Sequence, residues 1–205
     1  MHITFLNQFN YIIKLDDIIL LWDQRLEYIQ NQCLVNLSFD NQSHLDLYHN
    51  CIHAIGLAIN SLQYLKDTKI DYQKNYNTTL THRRLKSICK YELFNPFNFI
   101  IDHSSRDLAE LYKNDLINLN QLLNICYYYN YQIDEYQYLL SRILFPTCIF
   151  DVIEDLTIDN INNDYSKQIY EAIKKYHNQI YKVKEYYNAI INLMNIRPIN
   201  WINQS

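Results

Sequence analysis

Glycine is nearly absent: Gly56 is the one glycine among 205 residues. A loop that wraps phosphate in backbone N–H groups needs several glycines, so this chain cannot itself supply a glycine-rich nucleotide loop. Left-handed turn positions must fall to Asn and Asp, which tolerate positive φ better than other residues. Proline occurs three times, too seldom for a proline-rich linker. Cysteines are few and scattered: Cys33, Cys51, Cys89, Cys126 and Cys148 are odd in number and contain no Cys-x-x-Cys pair. That pattern suits reduced core thiols in a cytoplasmic protein and not a disulfide framework or a zinc site. A basic surplus is missing too. Lys and Arg total 18 against 22 Asp and Glu, a formal charge of −4, which argues against a nucleic-acid partner. No apolar run reaches the roughly 18 residues of a membrane span, and no basic, apolar and small-residue leader opens the chain. The expectation is a soluble cytoplasmic protein with neither membrane nor nucleic-acid partners.

What is present is a globular composition, 49% hydrophobic with 20 tyrosines, and a mostly helical pattern. Asp16 or Asp17 is placed to cap a helix ending near residue 30. A second helix is expected over 44–66, with Leu45, Tyr48, Ile52, Ile55, Ile59 and Leu62 as its buried stripe and Gly56 marking close helix packing. Residues 69–101 read as loop and short strand. Helices follow near 105–116 and 119–131 and from about 134, with Pro146 a kink or a boundary. The last is the most regular: Tyr165, Ile169, Ile173, Tyr176, Ile180, Val183, Tyr187, Ile190 and Met194 share a face. Asn163 or Asp164 can cap it, and Pro198 stops it. With no repeat and no flexible linker, residues 1–205 read as one domain.

Chemistry concentrates in two segments. The first is Phe99-Ile100-Ile101-Asp102-His103-Ser104-Ser105-Arg106-Asp107-Leu108-Ala109-Glu110: an apolar strand, an acidic turn and a helix start. Asp102 reads as a turn residue whose loss would cost about 1 kcal/mol or less. Ser104 and Asp107 match the helix-capping pattern, and Arg106 could form a surface pair of little weight with either acid. The second is Thr81-His82-Arg83-Arg84-Leu85-Lys86-Ser87-Ile88-Cys89, whose Arg83, Arg84 and Lys86, with Lys90, form a basic cluster read as a solvated loop. His49 and His53 stand four apart, a spacing used by metal sites, but too few ligands accompany them.

Three blocks in order carry a resemblance. They are Leu57-Ala58-Ile59-Asn60-Ser61-Leu62-Gln63-Tyr64-Leu65-Lys66-Asp67-Thr68, the 99–110 segment, and Tyr138-Leu139-Leu140-Ser141-Arg142-Ile143-Leu144-Phe145-Pro146 through Asp155. Across residues 22–155 the chain resembles the spore coat family typified by YutH, a branch of the aminoglycoside and choline kinase-like superfamily. The resemblance implies a mainly α fold: a protein-kinase-like C-terminal lobe with a few short strands around the former catalytic loop. In active relatives that loop reads His-Gly-Asp with an Asn five residues on. Here His82 keeps the His position, but Arg84 stands for the Asp and Cys89 for the Asn. Arginine cannot accept a proton, and a thiol is a poor Mg²⁺ ligand. Asp102 matches the metal-binding Asp, vestigial without its partners, and Asp107 opens the following helix. Only about 20 residues precede the resemblance, so the N-terminal nucleotide lobe is expected to be absent, or the chain to be part of a longer protein.

The expectation is therefore a catalytically inactive kinase-like domain, without cofactor, with a structural or protein-binding role. Protein partners or self-association would use its tyrosine-rich surface, and the resemblance places it in the spore coat. One alternative is an active small-molecule phosphotransferase using Asp102 for metal. Another is a helical interaction domain unrelated to kinases.

Overall fold

A computed structural model describes residues 14–37, 41–72, 78–85, 87–158 and 165–202. Helix α1 is Leu15–Tyr28, carried on by a π-helical turn, Ile29–Cys33. Asp16 and Asp17 lie inside α1, not before it. Lys14 is the N-cap, and the Asp17 carboxylate accepts the Lys14 N–H at 2.8 Å. The acids still favour the positive helix start, from within its first turn.

Helix α2, Gln42–Tyr72, is longer than the periodicity suggests. Its buried face is also rotated from the expected one. Ile52 and Ile59 are half exposed, and the innermost line is Leu47, Cys51, Ala54, Ala58, Ser61, Leu65 and Thr68. Those residues alternate in steps of four and three, the spacing of one helix face. Most are small, which lets α2 lie close against α6, Ile133–Leu144. The Ser61 hydroxyl donates to the Ser141 carbonyl at 2.7 Å, and the Thr68 hydroxyl reaches Gln137 Oε1 at 2.9 Å. Gly56 faces away from this contact: a Cβ built there meets nothing within 4 Å. Close packing does not explain it.

Strands β1, Thr79–His82, and β2, Phe99–Asp102, pair antiparallel, with Thr79 opposite Asp102 and His82 opposite Phe99. His82 thus ends a strand; the expected loop begins one residue later. Between the strands lie α3, Lys90–Phe94, and a 3₁₀ turn, Pro96–Asn98. Helices α4, Ser105–Lys113, and α5, Leu119–Tyr128, follow. Positive φ falls where the scarcity of glycine requires it: Asp115 and Asn130, at 60° and 54°, end these two helices. After α5 the Tyr131 N–H returns to the Cys126 carbonyl at 2.9 Å, which satisfies an otherwise orphaned acceptor.

Helix α6 is the centre. Every residue from 136 to 144 is buried, because α2, α4 and the last helix all pack on it. It stops before Pro146, a boundary and not a kink, and α7, Thr147–Ile158, starts afresh. Its last carbonyls are met by the last helix, α8, Ser166–Leu193. Gln179 Nε2 donates to the carbonyls of Ile143 and Phe145 at 2.6 and 3.0 Å. The α8 stripe faces the core as expected, with Ile173, Ile180 and Met194 at its margin. Its N-cap is Tyr165, and positions 163 and 164 lie outside the described residues. The main cluster joins α2, α4, α6, α7 and α8; a smaller one joins Leu15, Ile18, Leu65, Ile100 and Tyr138 beneath the sheet. The architecture is mainly α with one small sheet, and no described helix is long and apolar enough to cross a membrane.

Candidate functional site

Asp102 closes β2 and is wholly buried. Arg142 Nη2, from α6, donates to both carboxylate oxygens at 2.8 Å. Arg106 Nη1, from α4, donates to Oδ2 at 2.9 Å, and the His103 N–H to Oδ1 at 2.6 Å. Burial alone would raise the carboxyl pKa, but the charges of Arg142 and Arg106 outweigh it and hold the group below its usual range. Asp102 is therefore far more than a turn residue, and Arg106 is part of a buried cluster, not a surface pair.

The His82 end of β1 is tied to the same helix. Asp107 Oδ1 accepts the His82 N–H at 2.9 Å, and Asp107 Oδ2 lies 2.8 Å from His82 Nδ1. Arg106 Nε donates to the His82 carbonyl at 2.7 Å and Nη2 to that of Arg83 at 2.6 Å. One guanidinium thus spans from Asp102 to the loop after His82. Asp107 clamps this strand and does not close a capping box. The Ser104 hydroxyl bonds the Tyr131 hydroxyl, and Ser104 makes no side-chain cap.

Arg84 and Cys89 stand apart from this clamp. Arg84 Nη2 donates to Asp151 Oδ1 at 2.8 Å, and its backbone carbonyl accepts from Asn98 Nδ2 at 2.8 Å. Cys89 is an exposed thiol at the start of α3. Lys90 is exposed as well, while Lys86 lies outside the described residues. His53 Nδ1 sits 2.7 Å from the Tyr176 hydroxyl, a partner that accounts for it without metal. Among the described residues, no group of three or more His, Cys, Asp or Glu could hold an ion.

A cavity of about 110 Å³ opens beside the clamp. Arg25, Arg83, Arg84, Arg106, Lys113 and Arg142 line it, with Trp22 and Phe145 as its apolar wall. Each buried cation is anchored. Arg25 forks onto Glu154 at 2.7 Å and Asp151 at 2.6 Å, and Lys113 pairs with Glu110 at 2.8 Å. The sequence reading singled out Arg83, Arg84 and Arg106 but missed Arg25, Lys113 and Arg142, which come from three separate helices. One local signal was legible: Arg142 is flanked by Leu139, Leu140, Ile143 and Leu144, and a charge inside such a run is rarely buried without a partner.

The chain is 26% identical over 163 residues to the endospore coat-associated protein YutH of Bacillus subtilis (strain 168), covering 70% of this chain and 46% of that protein. It therefore spans about half the length of that curated relative. No solved structure matches. A family model described as "Spore coat putative kinase YutH" matches residues 7–190. By that match, over most of its length, the chain belongs to the YutH spore coat family.

Proposed function

We propose that this chain is a spore coat-related domain, derived from a kinase-like C-terminal lobe, that transfers no phosphate and acts by binding proteins or by self-association. The observation carrying this reading is the state of Asp102. A catalytic carboxylate would present its oxygens to a metal, whereas both oxygens of Asp102 are engaged by two guanidiniums and a backbone N–H. Mg²⁺ demands several oxygen ligands in near-octahedral geometry, and two fixed cations beside Asp102 would repel it. The donor set does not suit a divalent ion. Arg84 and Cys89 add nothing that accepts a proton or holds metal. The binding role is supported by Tyr127, Tyr128 and Tyr129, which are 84%, 81% and 69% exposed. Tyrosines supply contact area at modest entropic cost.

The rival is a small-molecule phosphotransferase, as the family's description suggests, whose remaining parts lie in the other half of a YutH-length protein. Thermal unfolding separates the two. Millimolar ATP with Mg²⁺ should give this chain the same melting midpoint as ATP with EDTA. Radiolabelled γ-phosphate should stay on ATP in the presence of aminoglycoside or choline acceptors. A ligand at a hundredfold excess over its Kd stabilises by about 2.7 kcal/mol, so a Mg²⁺-dependent rise in the midpoint is readily seen. Such a rise, or transfer of label, would overturn the non-catalytic reading.

A further inference from the structure

We propose that the cavity between α1, α4, α6 and the loop after β1 is a binding site for a single phosphate group, taken as the free ion or as the monoester of a small alcohol. The inference stands on charge, size and rigidity, independently of any role in the spore coat.

Charge comes first. Among the described residues six cations line the cavity, and of the carboxylates that pair with them only Glu110 reaches its wall. The others, Asp102, Asp151 and Glu154, hold the guanidiniums without lining the space. Among the described residues six cations therefore face one small volume that a single carboxylate, Glu110, also lines, and its wall is strongly positive. A phosphomonoester, which carries about −1.5 to −2 at neutral pH, suits such a wall. The crowding is felt inside the site. Burial, and then the neighbouring charge of Arg142, push the Arg106 guanidinium below its ordinary pKa, despite the carboxylate beside it. A bound dianion would relieve that repulsion.

Size narrows the ligand. A cavity of about 110 Å³ holds a tetrahedral oxyanion or a few waters at roughly 30 Å³ each. It is well below the roughly 300 Å³ at which pockets for drug-sized ligands begin.

Rigidity makes that charge useful. The planar fork of Arg suits phosphate oxygens, and a fork already held loses little freedom on binding. Arg142 is fixed by Asp102 and lies over the Trp22 ring at 6.0 Å, which in turn stacks on Phe145 at 4.2 Å. Arg25 is fixed by its two acids and lies over Phe150 at 5.7 Å. Arg83 differs: its carbonyl serves the clamp, while the residue is exposed at the cavity mouth.

Arg83 is therefore the residue to change. The chain would be melted in inorganic phosphate, in phenyl phosphate and in sodium chloride at matched ionic strength. At a tenfold excess over Kd, phosphate should raise the midpoint by about 4 °C above the chloride control. Arg83→Glu should melt like the wild type in chloride and lose that rise, whereas Arg142→Gln, which unpairs Asp102, is expected to be unstable and decides nothing alone. A rise with inorganic phosphate only identifies the free ion; a rise with both identifies an ester site. Absence of any rise above chloride in the wild type, or an equal rise in Arg83→Glu, would overturn the proposal and leave the six cations as an internal ion network. A response seen only when Mg²⁺ accompanies ATP would bear on the catalytic question and not on this site.

Discussion

Replacing Asp102 with Ala leaves two guanidiniums facing each other in a place where the carboxylate had no exposed surface. Stranding a buried charge costs about 3–5 kcal/mol, so urea titration of Asp102→Ala should show a loss of that size and not the 1 kcal/mol of a turn residue. The pH dependence follows from the same contacts. Asp102 and Glu110 are both held below the usual carboxylate range, Glu110 chiefly by Lys113 acting against burial. A depressed folded-state pKa contributes stability that is complete above the ordinary carboxylate pKa near 4 and is lost as pH falls through the lower folded value. Unfolding free energy should thus hold between about pH 7 and 5 and drop below about pH 4. Asp102→Asn should start lower and drop less. Among the cysteines, Cys89 is exposed and its thiol is lowered by the Ser87 hydrogen bond, while burial pushes Cys51 and Cys126 up to about 12. The thiolate is the reactive form. Iodoacetamide at pH 7.5 should label Cys89 first by mass spectrometry; equal native-state labelling of Cys51 would contradict the fold of α2.

Helix α2 shows what an element adds to its residues. Its Ile and Leu side chains suggest one face, yet its seat on α6 is marked by Ser61 and Thr68, which bond Ser141 and Gln137, small residues that allow the backbones to approach. Gly56 lies on the outer side with free space around it. Glycine in a helix interior is about 1 kcal/mol worse than alanine. Gly56→Ala should therefore stabilise the protein by up to that amount in urea or thermal unfolding, where a glycine needed for packing would instead destabilise on substitution. Helix α6 carries the opposite lesson. Its residues 136–144 are buried all round, and the cation among them, Arg142, is tolerated because Asp102 meets it from a strand forty positions away.

For the whole molecule, the run of exposed tyrosines after α5 and the cation-lined cavity occupy different regions. Tyr127, Tyr128 and Tyr129 sit at the end of α5 and after it, while the cavity lies among α1, α4 and α6. Surface substitutions of this kind shift stability by no more than about 0.5 kcal/mol. The triple change of these tyrosines to Ser should keep the wild-type urea midpoint. In sedimentation velocity, the concentration-dependent association expected of the wild type should be weakened in that variant. A variant that associates equally well would move the proposed contact surface elsewhere.

Some of this protein is written locally. Helix periodicity, the stop before Pro146, the apolar triplet before Asp102 and the use of Asn and Asp in left-handed turns depend on neighbours within a few residues, and the sequence alone determines them; α8, by contrast, ends at Leu193, ahead of the expected stop at Pro198. Which face of α2 turns inward, what Asp102 binds, what Asp107 holds and where Arg25, Lys113 and Arg142 meet were decided only by the tertiary structure. The physical reason is range. Backbone preference and hydrophobic period act over one or two turns, whereas an ion pair or a small-residue contact takes its meaning from a partner that is distant in the chain and brought near only when the core closes.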